Sequence, residues 1–171
     1  ISILNTYILH GLEINKLKRQ YYGNSFLMNA FMDNYDYKTI ELLISVEPNI
    51  NAININKDTL LHITCGSMYF DINKIKLLLT NNININTCNK EGRTALMYAC
   101  YYKKYDVVKL LLDYGADIYI KDVSNKTAFI FTCMNITDDN KINTIHIQQL
   151  LLSIDDNLRL TSGCGVSQVR I

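Results

Sequence analysis

The feature that most constrains the fold of this 171-residue chain is a sequence pattern that recurs about every 33 residues. Thr94 is followed by Thr127 at a spacing of 33, and Leu79 and Leu112, which close equivalent Leu-Leu-Leu runs, are also 33 residues apart. A period of this length is typical of proteins in which each unit buries its apolar surface against copies of itself. The repeat therefore predicts a stacked architecture instead of a globule with one central core.

Residues 89–121 show most clearly why each unit is expected to contain two helices. Thr94 directly precedes a short apolar run, and its hydroxyl is suited to cap the free N–H groups of a starting helix. A second run, residues 107–112, is apolar on nearly every side, so its helix needs neighbours on both sides. Gly115 follows this run, where a left-handed backbone is favoured and glycine adopts it without a Cβ penalty.

These residues resemble the ankyrin repeat over its full length. Residues 92–96 read GRTAL and resemble the start of its T-P-L-H-x-A motif, and residues 114–117 read YGAD, close to the turn that ends a repeat. Residues 59–62, reading TLLH, are closer still to the motif. The resemblance implies an all-α fold, an ankyrin-repeat solenoid of stacked antiparallel helix pairs joined by short hairpin-like loops, with contacts between nearest neighbours only.

The register divides the chain into a single array, expected over residues 1–160 and followed by an irregular tail at 161–171. Its units are a partial repeat at 1–19 and full repeats at 20–53, 54–88, 89–121 and 122–160. Inner helices are expected near 25–31, 59–66, 94–102 and 127–134, and outer helices near 2–10, 38–46, 72–80, 106–113 and 145–153. Because the first unit supplies only a second helix, we expect a fragment of a longer array; the alternative is a chain that starts with a capping helix.

Two units depart from the 33-residue period. The repeat at 54–88 carries two extra residues between its helices, and the repeat at 122–160 carries seven, which fall within residues 135–146. The polar segment 137–140 predicts a loop there. Because this last unit also lacks a closing Gly-Ala-Asp turn, we expect it to be the weakest part of the array.

Composition argues against several classes of function. The formal net charge of +1 argues against a nucleic-acid surface, and the chain has no run of about 18 apolar residues that would span a membrane. Three of the five cysteines lie six residues after a motif threonine, where the resemblance implies a small buried side chain; they are Cys65, Cys100 and Cys133. We therefore expect reduced core cysteines, no metal site and an intracellular location, cytoplasmic or nuclear.

No sequence motif indicates catalysis. The chain has no Gly-rich phosphate loop, G-x-S-x-G or H-E-x-x-H sequence, so we expect neither an enzyme nor a bound cofactor. His62 occupies the motif position at which, by the resemblance, a histidine bonds the backbone and stabilises the turn. Asn51 and Asn86 follow the turns, where we expect them to bond the backbone of their own loops. The resemblance leaves hydroxylation of these asparagines as the alternative.

The resemblance implies a non-enzymatic protein–protein interaction module that binds a partner protein, of an identity the sequence does not give, on the concave face of the stack. The residues expected to form this face are Tyr21, Tyr22, Asn24, Ile55, Asn56, Asp58, Lys90, Glu91, Arg93, Tyr101, Tyr102, Lys126 and Met134. Tyr101 and Tyr102 beside Arg93 are the best candidate anchor, because Tyr and Arg are enriched at interface hot spots. Packing of the tyrosines against adjacent repeats is the alternative for this pair.

A second functional interpretation stays open beside the binding module. The chain is then a substrate-recognition segment of a larger adaptor or effector, for example one linked to a ubiquitin ligase. The two interpretations differ in whether the parent protein carries a recruiting domain in addition to its repeats.

Overall fold

The computed structural model describes residues 23–46, 49–67 and 71–154. In these residues eight α-helices follow one another, and no β-strand is present. Inner helices α1 (Phe26–Met32), α3 (Leu60–Gly66), α5 (Ala95–Tyr101) and α7 (Ala128–Thr132) alternate with outer helices α2 (Tyr37–Val46), α4 (Ile72–Thr80), α6 (Tyr105–Asp113) and α8 (Lys141–Ile154). The expected all-α order of helix pairs is confirmed. The outer helix predicted at 2–10, the partial repeat and the tail at 161–171 lie outside the described residues.

Each inner helix begins directly after a hydroxyl residue in extended conformation, as the motif predicts. The hydroxyls of Ser25 and Thr94 accept hydrogen bonds from the N–H three residues on, at 3.2 and 3.4 Å. Thr127 makes no such bond, and the helix that it precedes, α7, is only five residues long. The start of the repeat is therefore fixed by local capping, and it is least well fixed in the last unit.

The left-handed turns also follow the sequence. All three residues that stand where the family's turn glycines would be have a positive φ, namely Lys57 (60°), Asn82 (58°) and Asn125 (64°). Gly92, the equivalent residue in its repeat, has a φ of 72°, and a Cβ there would lie 3.0 Å from the backbone nitrogen of Val123. Position 92 therefore needs glycine for space as well as for conformation.

Packing between the helices is confined to neighbours in the described part of the stack. Every extensively packed pair of helices is either the two helices of one repeat or the same helix type in adjacent repeats. Fully buried aliphatic side chains run along the whole stack, among them Leu27, Leu61, Leu96, Leu111 and Ile147. The nearest-neighbour architecture predicted from the repeat is confirmed.

The last unit corrects two details of the prediction. Residues 137–140 were expected to be a loop, but Asp138–Asn140 forms a 3₁₀ helix that leads directly into α8. The side-chain oxygen of Asn140 accepts a hydrogen bond from the N–H of Thr137 at 2.9 Å, and this reciprocal cap starts the helix. The outer helix therefore begins at Lys141 and not near 145, while α7 ends at Thr132 and not near 134.

Candidate functional site

Three finger loops, residues 54–58, 89–93 and 122–126, have the same internal hydrogen bonds. In each loop the first side chain accepts from the N–H groups two and four residues on, with distances of 2.9 and 2.9 Å at Asn54, 3.1 and 3.0 Å at Asn89, and 2.9 and 2.8 Å at Asp122. Adjacent fingers are joined by backbone bonds of 2.9 Å from Lys90 to Asn56 and from Val123 to Glu91. The fingers therefore form one connected row with a preset spacing.

We define the inner face as the surface formed by the finger loops and the inner helices, and in the described residues Tyr98 lines two hollows of this face. The first has a volume of about 410 Å³ and is lined by Asn24, Met32, Asn54, Asn56, Asp58, His62, Ile63, Gly66, Ser67 and Tyr98. The second has a volume of about 340 Å³ and is lined by Arg93, Met97, Tyr98, Tyr101, Tyr102, Phe131 and Met134. The first hollow is rich in amide groups, and the second is aromatic with one guanidinium.

The second hollow contains the tyrosine pair singled out in the sequence. The rings of Tyr101 and Tyr102 meet edge to face, with centroids 5.1 Å apart and planes at 89°. Tyr101 is half-buried against the core, whereas 41 % of Tyr102 is exposed. The structure therefore gives the two tyrosines different environments: packing accounts for part of Tyr101 and leaves Tyr102 available for contact.

Arg93 closes the opposite side of the second hollow. Its guanidinium carbon lies 5.4 Å from the centre of the Phe131 ring, and its Nε is 3.9 Å from a carboxylate oxygen of Asp122. Although this Nε is inaccessible to solvent, it has no hydrogen-bond partner. The ring and the carboxylate keep the guanidinium beside the tyrosines, with 39 % of the side chain exposed.

Two buried lysines support the inner face, and the sequence analysis did not identify them. The ammonium of Lys103 donates to the backbone oxygens of Tyr101, Phe131 and Met134, and that of Lys104 donates to the oxygens of Cys65 and Ser67. These carbonyls lie at or just beyond the C-terminal ends of inner helices, where the regular helical hydrogen bonding ends. Burial lowers the pKa of both ammonium groups.

The position of the two lysines ties three repeats together. Lys103 reaches forward to the end of α7 and Lys104 reaches back to the end of α3, while both belong to the loop after α5. Each ammonium also lies over a tyrosine ring, 5.9 Å from Tyr101 and 5.5 Å from Tyr102. The lysines therefore hold the tyrosine pair in place as well as joining the repeats.

His62 has the structural role that was expected from the motif. Its Nδ1 accepts from the N–H of Thr59 at 3.1 Å, and its Nε2 lies 2.8 Å from the backbone oxygen of Arg93. Because a carbonyl oxygen only accepts, Nε2 carries the proton and the ring is neutral. Burial lowers the pKa of this imidazole, which favours the neutral form further. The histidine thus stabilises its own turn and joins it to the next finger.

Asn51 and Asn86 act between repeats, which corrects the expected bonds within their own loops. The side-chain oxygen of Asn51 accepts from the N–H of Asn84 at 2.7 Å, and that of Asn86 accepts from the N–H of Asp117 at 2.9 Å. Both donor residues lie one repeat further along the chain. Stacking of adjacent repeats, and not local turn geometry, therefore decides the partner of each of these two side chains.

The cysteines behave as small apolar side chains at two of the three expected positions. Cys65 and Cys100 are fully buried, and burial raises the pKa of both thiols, that of Cys65 to about 12. Cys133 is only half-buried, because α7 ends one residue before it. Among residues 23–46, 49–67 and 71–154, no three His, Cys, Asp or Glu side chains gather in a geometry that could hold a metal ion.

The predicted binding residues fall into distinct groups. Ile55, Asn56, Lys90, Glu91 and Tyr102 are exposed, and Asp58, Arg93, Tyr101, Lys126 and Met134 are half-buried. Asn24 differs from the expectation: it is 3 % exposed, and its amide bonds Met32, Asn29 and Asn54. Asn24 therefore lines the first hollow as a buried, hydrogen-bonded side chain and presents almost no surface to a partner. Tyr21 and Tyr22 lie outside the described residues.

Three residues that line the second hollow were not predicted from the sequence. Met97, Tyr98 and Phe131 were assigned no role in binding, although each follows a motif threonine by three or four residues. One turn of helix after the cap brings a side chain to the inner face. The spacing from the motif threonine was the signal that could have identified them.

The finger loops, the paired helices and the nearest-neighbour packing define a helical repeat protein with a preformed inner face. A family model described as ankyrin repeats (3 copies) matches residues 6–122. The chain therefore belongs to the ankyrin-repeat family, whose repeats are generally protein–protein interaction modules and typically non-enzymatic. The fourth unit lies almost wholly beyond the match, and its assignment rests on the packing of α7 and α8 against α5 and α6.

A comparison with curated proteins finds no match to this chain. Among the described residues, none of the helices is both long enough and apolar enough to cross a membrane.

Proposed function

We propose that this chain is a non-enzymatic module that binds a partner protein on its inner face, with Tyr101 and Tyr102 as the anchor. The observation that carries the proposal is the second hollow, in which these two rings, Met134 and the guanidinium of Arg93 meet on one surface. Aromatic side chains and Arg are enriched among the residues that dominate binding energy at protein interfaces, because they bury a large area and also form stacking contacts or hydrogen bonds.

The anchor is held in place before any partner arrives. The edge-to-face contact fixes the two rings relative to each other, and the ammonium groups of Lys103 and Lys104 fix them relative to the helix ends. An interface whose side chains are already ordered loses less conformational entropy on binding. A rigid surface with a partly exposed aromatic centre and a polar rim therefore supports recognition of a protein better than it supports chemistry. A substrate-recognition segment of a larger adaptor or effector would use the same surface.

The test compares two double variants, each of which replaces two tyrosines by alanine. Tyr101→Ala with Tyr102→Ala removes the anchor, and Tyr114→Ala with Tyr119→Ala removes two tyrosines that are 45 and 56 % exposed in the loop after α6. Partners are captured from the native cell with each protein and quantified. We expect the anchor variant to bind its partner more weakly by about 2–4 kcal/mol, roughly 30- to 900-fold, while the control variant binds normally.

Stability distinguishes a lost contact from a lost fold. Leu111 is fully buried, and Leu111→Ala is expected to cost about 2–5 kcal/mol of folding free energy. The anchor variant should lose much less than this in urea unfolding. If it folds normally and retains every partner of the wild type, Tyr101 and Tyr102 are not the anchor.

A further inference from the structure

The finger loops present one side chain per repeat at the position directly before the capping threonine. In three successive repeats this position is occupied by Asp58, Arg93 and Lys126, all half-buried on the inner face. The row therefore carries one carboxylate followed by two cationic side chains, of which Arg93 also forms a 3.9 Å ion pair with Asp122. Because the fingers are hydrogen-bonded to one another, the order and spacing of these charges are fixed by the fold.

The negative end of the row is a carboxylate that no cation neutralises within the described part of the chain. Asp58 accepts hydrogen bonds from the side-chain amides of Asn89 at 2.8 Å and Asn54 at 3.4 Å, and it lines the first hollow. Amides orient a carboxylate without cancelling its charge. The first hollow is therefore suited to a basic or strongly donating group.

The positive part of the row begins at the second hollow. The Nε of Arg93 has no hydrogen-bond partner, and its nearest carboxylate oxygen, on Asp122, is 3.9 Å away. Lys126 stands at the equivalent position one repeat further on, and its side chain is half-buried. Because the ion pair of Arg93 with Asp122 is long and 39 % of the arginine side chain is exposed, the exposed part of the guanidinium can still donate hydrogen bonds to a carboxylate.

The spacing of the row matches that of an extended polypeptide. Equivalent positions in adjacent repeats are separated by one helix-packing distance, about 8–10 Å. An extended chain rises about 3.3 Å per residue, so three residues span one repeat. A partner segment running along the row would place every third residue beside Asp58, Arg93 and Lys126 in turn.

We infer that the inner face takes an extended segment of a partner protein that carries one basic residue and two acidic residues at three-residue intervals. The basic side chain lies in the first hollow beside Asp58, and the acidic side chains lie beside Arg93 and Lys126. Residues between them cross Tyr98 and the tyrosine pair. This inference rests on the proposed function, because it specifies the partner of the same face.

The probe is a displayed library of random linear twelve-residue peptides, selected against the folded chain. We expect enrichment of sequences of the form basic-x-x-acidic-x-x-acidic, or the same order reversed, since the direction of the segment is free. A synthetic peptide with the enriched sequence is then titrated into the wild type and into Asp58→Asn, which removes the charge and can keep the shorter of the two amide contacts, from Asn89, through its remaining side-chain oxygen. The matched control is Asp113→Asn, at an exposed site at the end of α6.

Asp58→Asn is expected to weaken the peptide by about five- to tenfold, and Asp113→Asn to leave it unchanged. A peptide whose basic residue is replaced by Gln should bind the wild type and Asp58→Asn equally well. Neither complex then contains the ion pair between Asp58 and the basic residue. Arg93→Gln should likewise weaken binding of the original peptide. It should have no effect on a peptide whose acidic residue beside Arg93 is replaced by Gln. Each of these losses of peptide affinity should become smaller as the salt concentration is raised, because salt screens the ion pair.

The outcomes separate the inference from the proposed function. Enriched peptides that depend on Tyr101 and Tyr102 but show no charge spacing would overturn the inference and leave the binding module intact. Peptides that bind independently of the tyrosines and of Asp58 would overturn both. A library that yields no binder would overturn the inference, because the face would then take no linear segment.

Discussion

Lys103 offers the sharpest test of how this stack is held together, because the chain contains its own matched control. Lys103 adopts a left-handed backbone with a φ of 56°, and Lys57 does so with a φ of 60°. The ammonium of Lys103 is buried on three carbonyl oxygens, whereas the side chain of Lys57 is exposed at a finger tip. Replacing each lysine by asparagine changes the backbone preference equally and removes the buried ammonium only at position 103.

The two effects of Lys103→Asn have opposite signs. Asparagine tolerates the left-handed region better than lysine, and Asn34 and Asn135 occupy it after α1 and α7 with φ of 55° and 54°. The backbone term alone would therefore stabilise the variant slightly. Against this, hydrogen bonds to a charged group contribute about 1.5–3 kcal/mol each, and burial of the ammonium offsets part of their sum. We expect Lys103→Asn to be about 2 kcal/mol less stable than Lys57→Asn.

The measurement is urea unfolding of both variants and the wild type, with a thermal scan as the second readout. For a chain of this size a loss of about 2 kcal/mol corresponds to a decrease in Tm of roughly 4–8 °C. Lys57→Asn should be neutral or slightly stabilising. If the two variants agree within about 0.5 kcal/mol, or if Lys103→Asn is the more stable, the buried ammonium does not join the repeats and the reasoning is refuted.

Two further predictions concern the last repeat and the buried histidine. Because α8 packs against a neighbouring repeat on one side only in the described part of the stack, hydrogen exchange should protect residues 110–112 far longer than residues 150–152, and equal protection would show that the last unit is capped. The lowered pKa of His62 means that the unfolded chain binds the proton more tightly, so its contribution is complete above pH 6.5 and is lost as the pH falls through the lower folded pKa. The fall in Tm between pH 7.5 and 5 should therefore be smaller in His62→Gln than in the wild type, and equal slopes would contradict this role.

The register of the repeats was predictable because it depends on local backbone preferences. Thr94 marks a helix start through its cap, and Asn82 and Asn125 tolerate the left-handed turns that glycine usually occupies. Two predictions were wrong for different reasons, one because a local cap was not recognised in the sequence and one because an adjacent repeat covers the residue. The reciprocal cap of Asn140 with Thr137 turned an expected loop into the beginning of α8, and Asn24 was buried beneath the adjacent finger.

The sequence by itself determined the period and the helix pairs, since both follow from contacts within one unit. Only the tertiary structure decided the roles of the charged residues. The ammonium of Lys103 finds a carbonyl 28 residues away, and that of Lys104 finds one 39 residues away. In sequence the two lysines resemble any solvated pair. They are buried because stacking brings backbone carbonyls from the ends of two other helices to the same loop, and a local sequence pattern cannot show that these groups will meet.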